Sequence, residues 1–591
     1  MLKPQQNSFR NEQSLDGIWD FKIDSKNVGL KEKWNLGFSN NTSIAVPSSW
    51  NDLDPDLADY IGVSWYQTNF YISNLWDLKN IFLRFASVTY HSTIWINGNL
   101  LGTNEGGHLP FEFKIEDFVN KDNNKLVVRV ENELSPLRVP PGNVDSGSLS
   151  IFMKNIPKTN YDFFPYAGID RSVKLYSIPT DHITDVTVKT SLKKNVGLVK
   201  IDIQSNNNQS CLAYAVLESD SLKIKSEKII PNSSLIFKIE NPKLWSTSDP
   251  HLYKLKIYLE KNSKIVDSYD LNVGIRIIEI KKDKLYLNGE KIELKGFGRH
   301  EDSSVTGRGQ NLPQTIKDHN LLKWIGANSY RTAHYPYSEE DLELADKNGF
   351  LIVDEIPAVG LFFDDDEKNI KTRLEICKKQ IKELINRDKN HPSIIMWSIA
   401  NEPFPPDLLN RMESGDNDSV NPISSNFLNS LIDDAKELDG TRPVTFAGIH
   451  GTPLEWFENV DVIMLNRYYG WYFDPLNLNE AIKKLSNELD DIHDKTMKPI
   501  IISEFGADTI PGFHSINQEL YTEEYQLEYW KKYLEFSENK DYIVGLHAWV
   551  FADFRTTHST MRIGGLNHKG AFTRDRKPKM SAHYLRSKWN K

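Results

Sequence analysis

IIMWSIANEP (residues 394–403) and PIIISEFGADT (499–509) are the two stretches on which the reading of this chain turns. Each is a short apolar run, rich in isoleucine, that breaks off at a glutamate. Such runs read as fully buried strands, and a carboxylate straight after one is costly unless it has partners or work. The same texture recurs around them in ELKGFG, ANSYRT, FLIVDE, PVTFAG, DVIMLN and IVGLHAW. Amphipathic segments lie between; in one, Leu374, Cys377, Ile381, Leu384 and Ile385 repeat at helical spacing. Eight strand units alternating with helices over residues 277–591 fit a (β/α)8 barrel. A doubly wound open sheet would usually carry a glycine fingerprint after its first strand, and none is present.

Upstream the texture is all β. Residues 1–180 contain short alternating runs such as NIFLRFASV, HSTIWING and NKLVVRVEN, set apart by the turn clusters NGN, NEGG and KDNN. A β-sandwich of jelly-roll character is expected there. Residues 181–276 hold roughly seven further strands without a Cys–Trp–Cys core, an immunoglobulin-like spacing. The expected chain is therefore jelly roll, immunoglobulin-like sandwich and barrel, in that order, which suits 591 residues.

Composition narrows the partners. A net charge of −10, with both signs mixed along the chain, argues against nucleic acid. No apolar stretch approaches the length of a membrane span, and the polar start MLKPQQNSFR does not resemble a signal peptide. The two cysteines, Cys211 and Cys377, provide no disulfide framework, so a cytoplasmic location is expected. HExxH and clustered Cys/His ligands are lacking, so neither a metal nor another cofactor is expected.

In a (β/α)8 barrel the reactive side chains sit at the C-terminal strand ends. The fourth strand delivers Asn401 and Glu402 there, and the seventh delivers Glu504. Two carboxyls facing each other across a glycosidic bond, one protonated and one ionised, are what glycoside hydrolysis needs. Histidines also fall at strand ends; of His300 and His334, only His334 is taken as a candidate sugar contact.

At this point the chain resembles a known family, the glycoside hydrolases of family 2, which contains β-galactosidases, β-mannosidases and β-glucuronidases. The resemblance runs from SLDGIWDF (14–21) through YDFFPYAGIDRSVKLYS (161–177), NPKLW (241–245), GFGRHED (296–302) and SYRTAHYP (329–336). It continues in SIANEP, LNRYYGWY (465–472), SEFG and MRIGGLNHKGAFTRDRKPK (561–579). It implies a sugar-binding-like jelly roll, an immunoglobulin-like domain and a catalytic barrel. It also implies Glu402 as acid/base and Glu504 as nucleophile of a retaining double displacement. Asn401 would bind the sugar 2-hydroxyl; Asn466 and Tyr468 come from LNRYYGWY, with Tyr468 orienting the nucleophile; Trp549 would floor the sugar. Asp162 would reach from the jelly roll to a sugar hydroxyl.

Asn567 and Lys569 carry the substrate reading. In this family an Asn-x-Lys pair after the eighth strand marks members acting on β-glucuronides, whose C6 carboxylate an ammonium and an amide can hold. Arg562 and Tyr472 occupy matching positions. The expected activity is thus exo-hydrolysis of terminal β-D-glucuronides on small molecules or glycans, by a dimer or tetramer. A β-galactosidase, a β-mannosidase or a hydrolase also accepting galacturonides would share the glutamates and differ at C6. A carbohydrate-binding protein that has lost activity would not need both carboxyls. Two segments bear on the mouth of the site. EIPAVGLFFDDDEKNIKTRL (355–374) leaves little room for a lid, whereas 403–425 is long enough to supply one.

Overall fold

The computed structural model describes residues 2–74, 76, 79–144, 157–220, 222–405, 422–557 and 561–590. Most of the 403–425 segment, residues 406–421, therefore lies outside the described residues, and its expected role as a lid with it.

The two sandwiches and the barrel differ in which faces of their strands are covered. In the middle sandwich, Val196–Ser205 and Ser233–Glu240 bury every second side chain, so one face packs inward and the other meets solvent. Seven described strands form its three- and four-stranded sheets around Val199, Ile201, Phe237, Leu255 and Ile257. The N-terminal domain pairs a four- with a six-stranded antiparallel sheet around Trp19, Trp50, Tyr66 and Phe85, and its only described helices are single 3-10 turns. The barrel strands are buried throughout: all eight residues of Ile394–Asn401 and all five of Leu351–Glu355. Helices cover one side of these strands and the barrel core the other, which is why their sequences run apolar instead of alternating.

Eight parallel strands close the barrel. They are β1 (Leu294–Gly298), β2 (Ser329–Arg331), β3 (Leu351–Glu355), β4 (Ile394–Asn401), β5 (Val444–Gly448), β6 (Ile463–Asn466), β7 (Ile500–Glu504) and β8 (Ile543–Ala548). The helix after β3, Glu367–Asp388, buries Cys377, Ile381, Leu384 and Ile385 as their spacing predicts. Between β3 and that helix the connection is short and carries no inserted element.

The jelly roll is pinned onto the barrel mouth. Phe163 bridges Thr556 in strand fashion, and the Phe164 amide donates to the Arg555 carbonyl at 3.0 Å. Arg555 lies over the Phe164 ring at 3.9 Å and pairs with Asp52 at 2.8 Å. Arg574 ties Asp302 of the barrel to Asp52 and Tyr166 of the jelly roll. These ties carry the neighbouring residue, Asp162, to the barrel opening. At the opposite end Arg276 donates to the carbonyls of Pro392 (2.9 Å) and Ile394 (2.6 Å), fastening the middle domain below β4.

Candidate active site

A cavity of about 240 Å³ opens at the C-terminal face of the barrel, where strand-end side chains converge. Eleven of the twelve residues expected from sequence line it: Asp162, His334, Asn401, Glu402, Asn466, Tyr468, Tyr472, Glu504, Trp549, Arg562 and Asn567. Tyr161, Val359, Ile449, His450 and Phe473 complete the wall. Lys569 does not reach it. It is wholly buried behind the wall, with its ammonium on the carboxylate of Asp508 and on the Tyr472 hydroxyl at 3.2 Å. His300 is also absent from the wall; it is buried and in contact with the Tyr335 hydroxyl at 3.2 Å.

The two glutamates share the cavity but have unlike surroundings. Glu504, closing β7, accepts from the Tyr468 hydroxyl at 2.6 Å and from the guanidinium of Arg331. Nε2 of His334 lies 3.6 Å from it. Glu402, just past β4, accepts from the Asn466 amide at 2.9 Å, and its backbone is in the left-handed region (φ 45°). Few non-glycine residues adopt that conformation, and it is typical of strained functional positions. The Glu402 amide, donating to the Ala447 carbonyl at 2.8 Å, holds it there. Burial raises both carboxyls; at Glu504 the charge of Arg331 opposes the rise and that of Glu402 adds to it. Asn466 also donates to Asn401 at 3.2 Å and accepts from Ser503 at 2.8 Å, so its amide orientation follows from its neighbours.

Beneath them lies a charged layer that the sequence reading did not single out. Arg331, ending β2, is fully buried and divides its donors among Glu355 (3.0 and 3.1 Å), Asn401 (3.1 Å) and Glu504. Glu355, ending β3, also accepts from Ser398 at 2.5 Å and pairs with Nδ1 of His334 at 2.9 Å. Burial pushes His334 down to about 4, so its ring is neutral near pH 7. With Nδ1–H donated to Glu355, Nε2 is an acceptor turned towards the cavity. The same strand-end rule that found Glu402 and Glu504 points to Arg331 and Glu355, which close the second and third strands.

Trp549 floors the cavity while remaining 97% covered, because it stacks on His334 at 5.1 Å and 16°. Two glycines make room for it. A Cβ on Gly298 would come within 2.6 Å of its ring, and one on Gly506 within 2.1 Å of its carbonyl oxygen.

Four charged groups interlock, Asp162 and Arg562 in the wall and Asp508 and Lys569 behind it. Arg562 donates to Asp162 (2.8 Å), Asp508 (3.1 Å) and the Tyr472 hydroxyl (3.1 Å). Asn567 donates to the other oxygen of Asp162 at 2.6 Å. Asp162 was expected to address a sugar hydroxyl; here both its oxygens accept from residues of the 562–569 loop. For Asp508, burial alone would raise the carboxyl, but Lys569 and then Arg562 outweigh it and hold it below the usual range. Asp508 belongs to the quoted stretch after β7, yet its neighbours in sequence do not reveal the cations it meets.

Among the described residues no cluster of three or more His, Cys, Asp or Glu side chains could hold a metal ion, and no helix is long and apolar enough to cross a membrane.

Comparison with known proteins covers the whole chain. The "Glycosyl hydrolases family 2, TIM barrel domain" matches residues 278–591, the sugar binding domain of that family residues 12–179, and its remaining domain residues 181–276. The β-glucuronidase of Paenibacillus borealis is 36% identical over 612 residues, spanning 100% of this chain and 98% of that one. That of Mus musculus is 35% identical over 626 residues, spanning 100% and 92%. The crystal structure of Ruminococcus gnavus β-glucuronidase superimposes with a TM-score of 0.92 at 34% identity, covering 100% of this chain and 99% of that one.

Proposed function

The chain belongs to glycosyl hydrolase family 2 and is a glycosidase; from that premise we propose that it is an exo-acting, retaining β-glucuronidase. The observation that carries this reading is one cavity lined both by two glutamates and by the Arg562–Asn567 wall, which Lys569 backs. A hexuronate chair fits that arrangement, with its anomeric carbon at the glutamates and its C6 carboxylate at the donors. The closed floor of Trp549 and His334 favours a terminal sugar over a chain running through the site.

The division of labour follows from the surroundings of each glutamate. Two buried carboxyls in one cleft titrate as a pair, so one keeps its proton after the other has lost its own. Glu504 is surrounded by donors, namely Arg331 and the Tyr468 hydroxyl, which favour its carboxylate. At Glu402 burial, aided by the negative charge of Asp162, outweighs one neutral amide donor and the charges of Arg331 and Arg467, which favours its acid form. Glu504 then attacks the anomeric carbon as Glu402 protonates the departing glycosidic oxygen. Water, deprotonated by Glu402, displaces Glu504 in the second step, and two inversions return the β-configuration. Asn401, held by Arg331 and Asn466, presents its amide to the 2-hydroxyl.

The test is a panel of nitrophenyl β-glycosides. Turnover of the glucuronide far above the glucoside, galactoside, mannoside and galacturonide is expected. A preference for the galactoside or the galacturonide would overturn the reading.

A further inference from the structure

Lys569 and Arg562 share a partner that does not touch the cavity. Asp508 is 2% exposed and absent from the cavity wall. One of its oxygens takes both cations and the other accepts the His568 amide at 2.9 Å. It lies four residues beyond Glu504, so a single loop carries the candidate nucleophile and this carboxylate. That loop is stitched to the 562–570 loop. The Thr509 amide donates to the His568 carbonyl at 3.0 Å, and Lys579 donates to the carbonyls of Thr509 (3.0 Å) and His568 (2.8 Å). Gln526 donates to the carbonyls of Ala507 and Lys569, both at 3.2 Å.

We propose that Asp508 is a positioning residue for acid-sugar selectivity, a built-in counter-ion that fixes Arg562 in the cavity wall and Lys569 directly behind it, on the side where a uronate carboxylate docks. The inference rests on the β-glucuronidase reading and deepens it. Lys569 and Arg562 face Asp508 and Asp162, so the wall is formally neutral. A uronate is therefore recognised by donors set in place and not by an excess of positive charge. Without its counter-ion, Lys569 would sit among the rings of Tyr468, Trp471 and Tyr472, 5.1–5.9 Å away, with the Arg562 cation opposite. Those ring faces attract an ammonium without fixing its direction, whereas a carboxylate holds it by a charge-assisted hydrogen bond of set geometry. The other titratable groups close by are His568, whose Nδ1 lies 3.5 Å from Asp553, and Lys579, which pairs with that Asp553 at 2.8 Å.

Asp508→Asn separates the two mechanisms because it keeps the shape and removes the charge. If net charge drew the uronate, the variant would gain selectivity. If Asp508 positions the cations, the ratio of kcat/KM for nitrophenyl glucuronide over nitrophenyl glucoside falls by at least about 30-fold. The fall is expected in the glucuronide KM, with kcat and the glucoside KM little changed, because a misplaced donor weakens binding of the C6 carboxylate and leaves the glutamates as they are. A ratio unchanged or raised, or equal losses on both sugars, would overturn the proposal. Should the Asn variant fold poorly, the pair Asp508→Leu with Lys569→Met removes both charges together. Its selectivity ratio should then fall by less than the Asp508→Leu and Lys569→Met falls combined, because part of the Asp508 effect runs through Lys569, and fully additive falls would overturn the proposal. A parent enzyme without glucuronide turnover would take down the β-glucuronidase reading and this inference together. Glucuronide turnover combined with an unaltered Asp508→Asn ratio removes only the inference.

Discussion

Replacing Arg331 with lysine tests whether the buried layer sets the protonation of the nucleophile. Arg331 holds three acceptors at once through its planar fork: Glu355, Asn401 and Glu504. Lysine keeps the charge but, as a point donor on a flexible stem, reaches only one of them well. Glu355 presents two oxygens and is wholly buried, so it keeps the ammonium and Glu504 loses a charge-assisted hydrogen bond. Such a bond contributes about 1.5–3 kcal/mol, which corresponds to about 10- to 150-fold in kcat and about 1–2 pH units. The sign follows from which form the donor stabilises. Arg331 stabilises ionised Glu504, so its loss raises the proton affinity of a carboxyl that burial already raises. Activity needs ionised Glu504, so the acid limb of the kcat profile moves to higher pH. Because Arg331 lies below the cavity wall, KM should change by less than about threefold. Steady-state kinetics on an aryl glucuronide between about pH 4 and 9 decide the matter. A fall in kcat with the acid limb in place would refute the reasoning and leave Arg331 as scaffolding.

The other predictions concern separate parts of the molecule. Glu504→Gly should abolish turnover and regain it with azide, giving the α-glycosyl azide by NMR; parent enzyme releasing the α-sugar first would contradict retention. Glu402→Gln should slow glycosides of poor leaving groups far more than activated aryl glycosides, since only the former need protonation. Lys569→Ala should lower kcat/KM on an aryl glucuronide by about 30- to 4,000-fold, with its loss on the glucoside much smaller. Equal losses there would make Lys569 structural. In the base of the barrel, burial alone would lower His391, but Asp346 at 2.6 Å outweighs it and raises the imidazole to about 9. Its stabilisation, up to about 3 kcal/mol, is full below the unfolded value of about 6.5 and is lost as pH rises through about 9. The melting temperature should therefore decline across that window by more in the parent than in His391→Gln.

What the sequence made legible and what it hid differ in physical kind. The barrel could be read because strands covered on both faces must be apolar throughout, and the sandwiches because half-covered strands must alternate. The glutamates could be read because a charge ending an apolar strand requires a reason, and Glu402 and Glu504 line one cavity. That argument applies with equal force to Arg331 and Glu355, which end β2 and β3 and proved to be mutual partners; the chemistry of glycoside cleavage names the reacting carboxyls and not the groups that hold them. Asp508, and the ion pairs that Asp162 and Lys569 make, were hidden for a different reason. Their pairing joins positions 162, 508 and 562–569, and no periodicity links loops from two domains. The sequence therefore suggested a cation waiting for a substrate, whereas Lys569 is already neutralised and only its placement remains to select a sugar. An isolated ammonium in so dry a place would shed its proton or disorder the loop. A selective cationic site in a buried wall thus requires its own anion, and sequence motifs that name the cation alone describe half of the device.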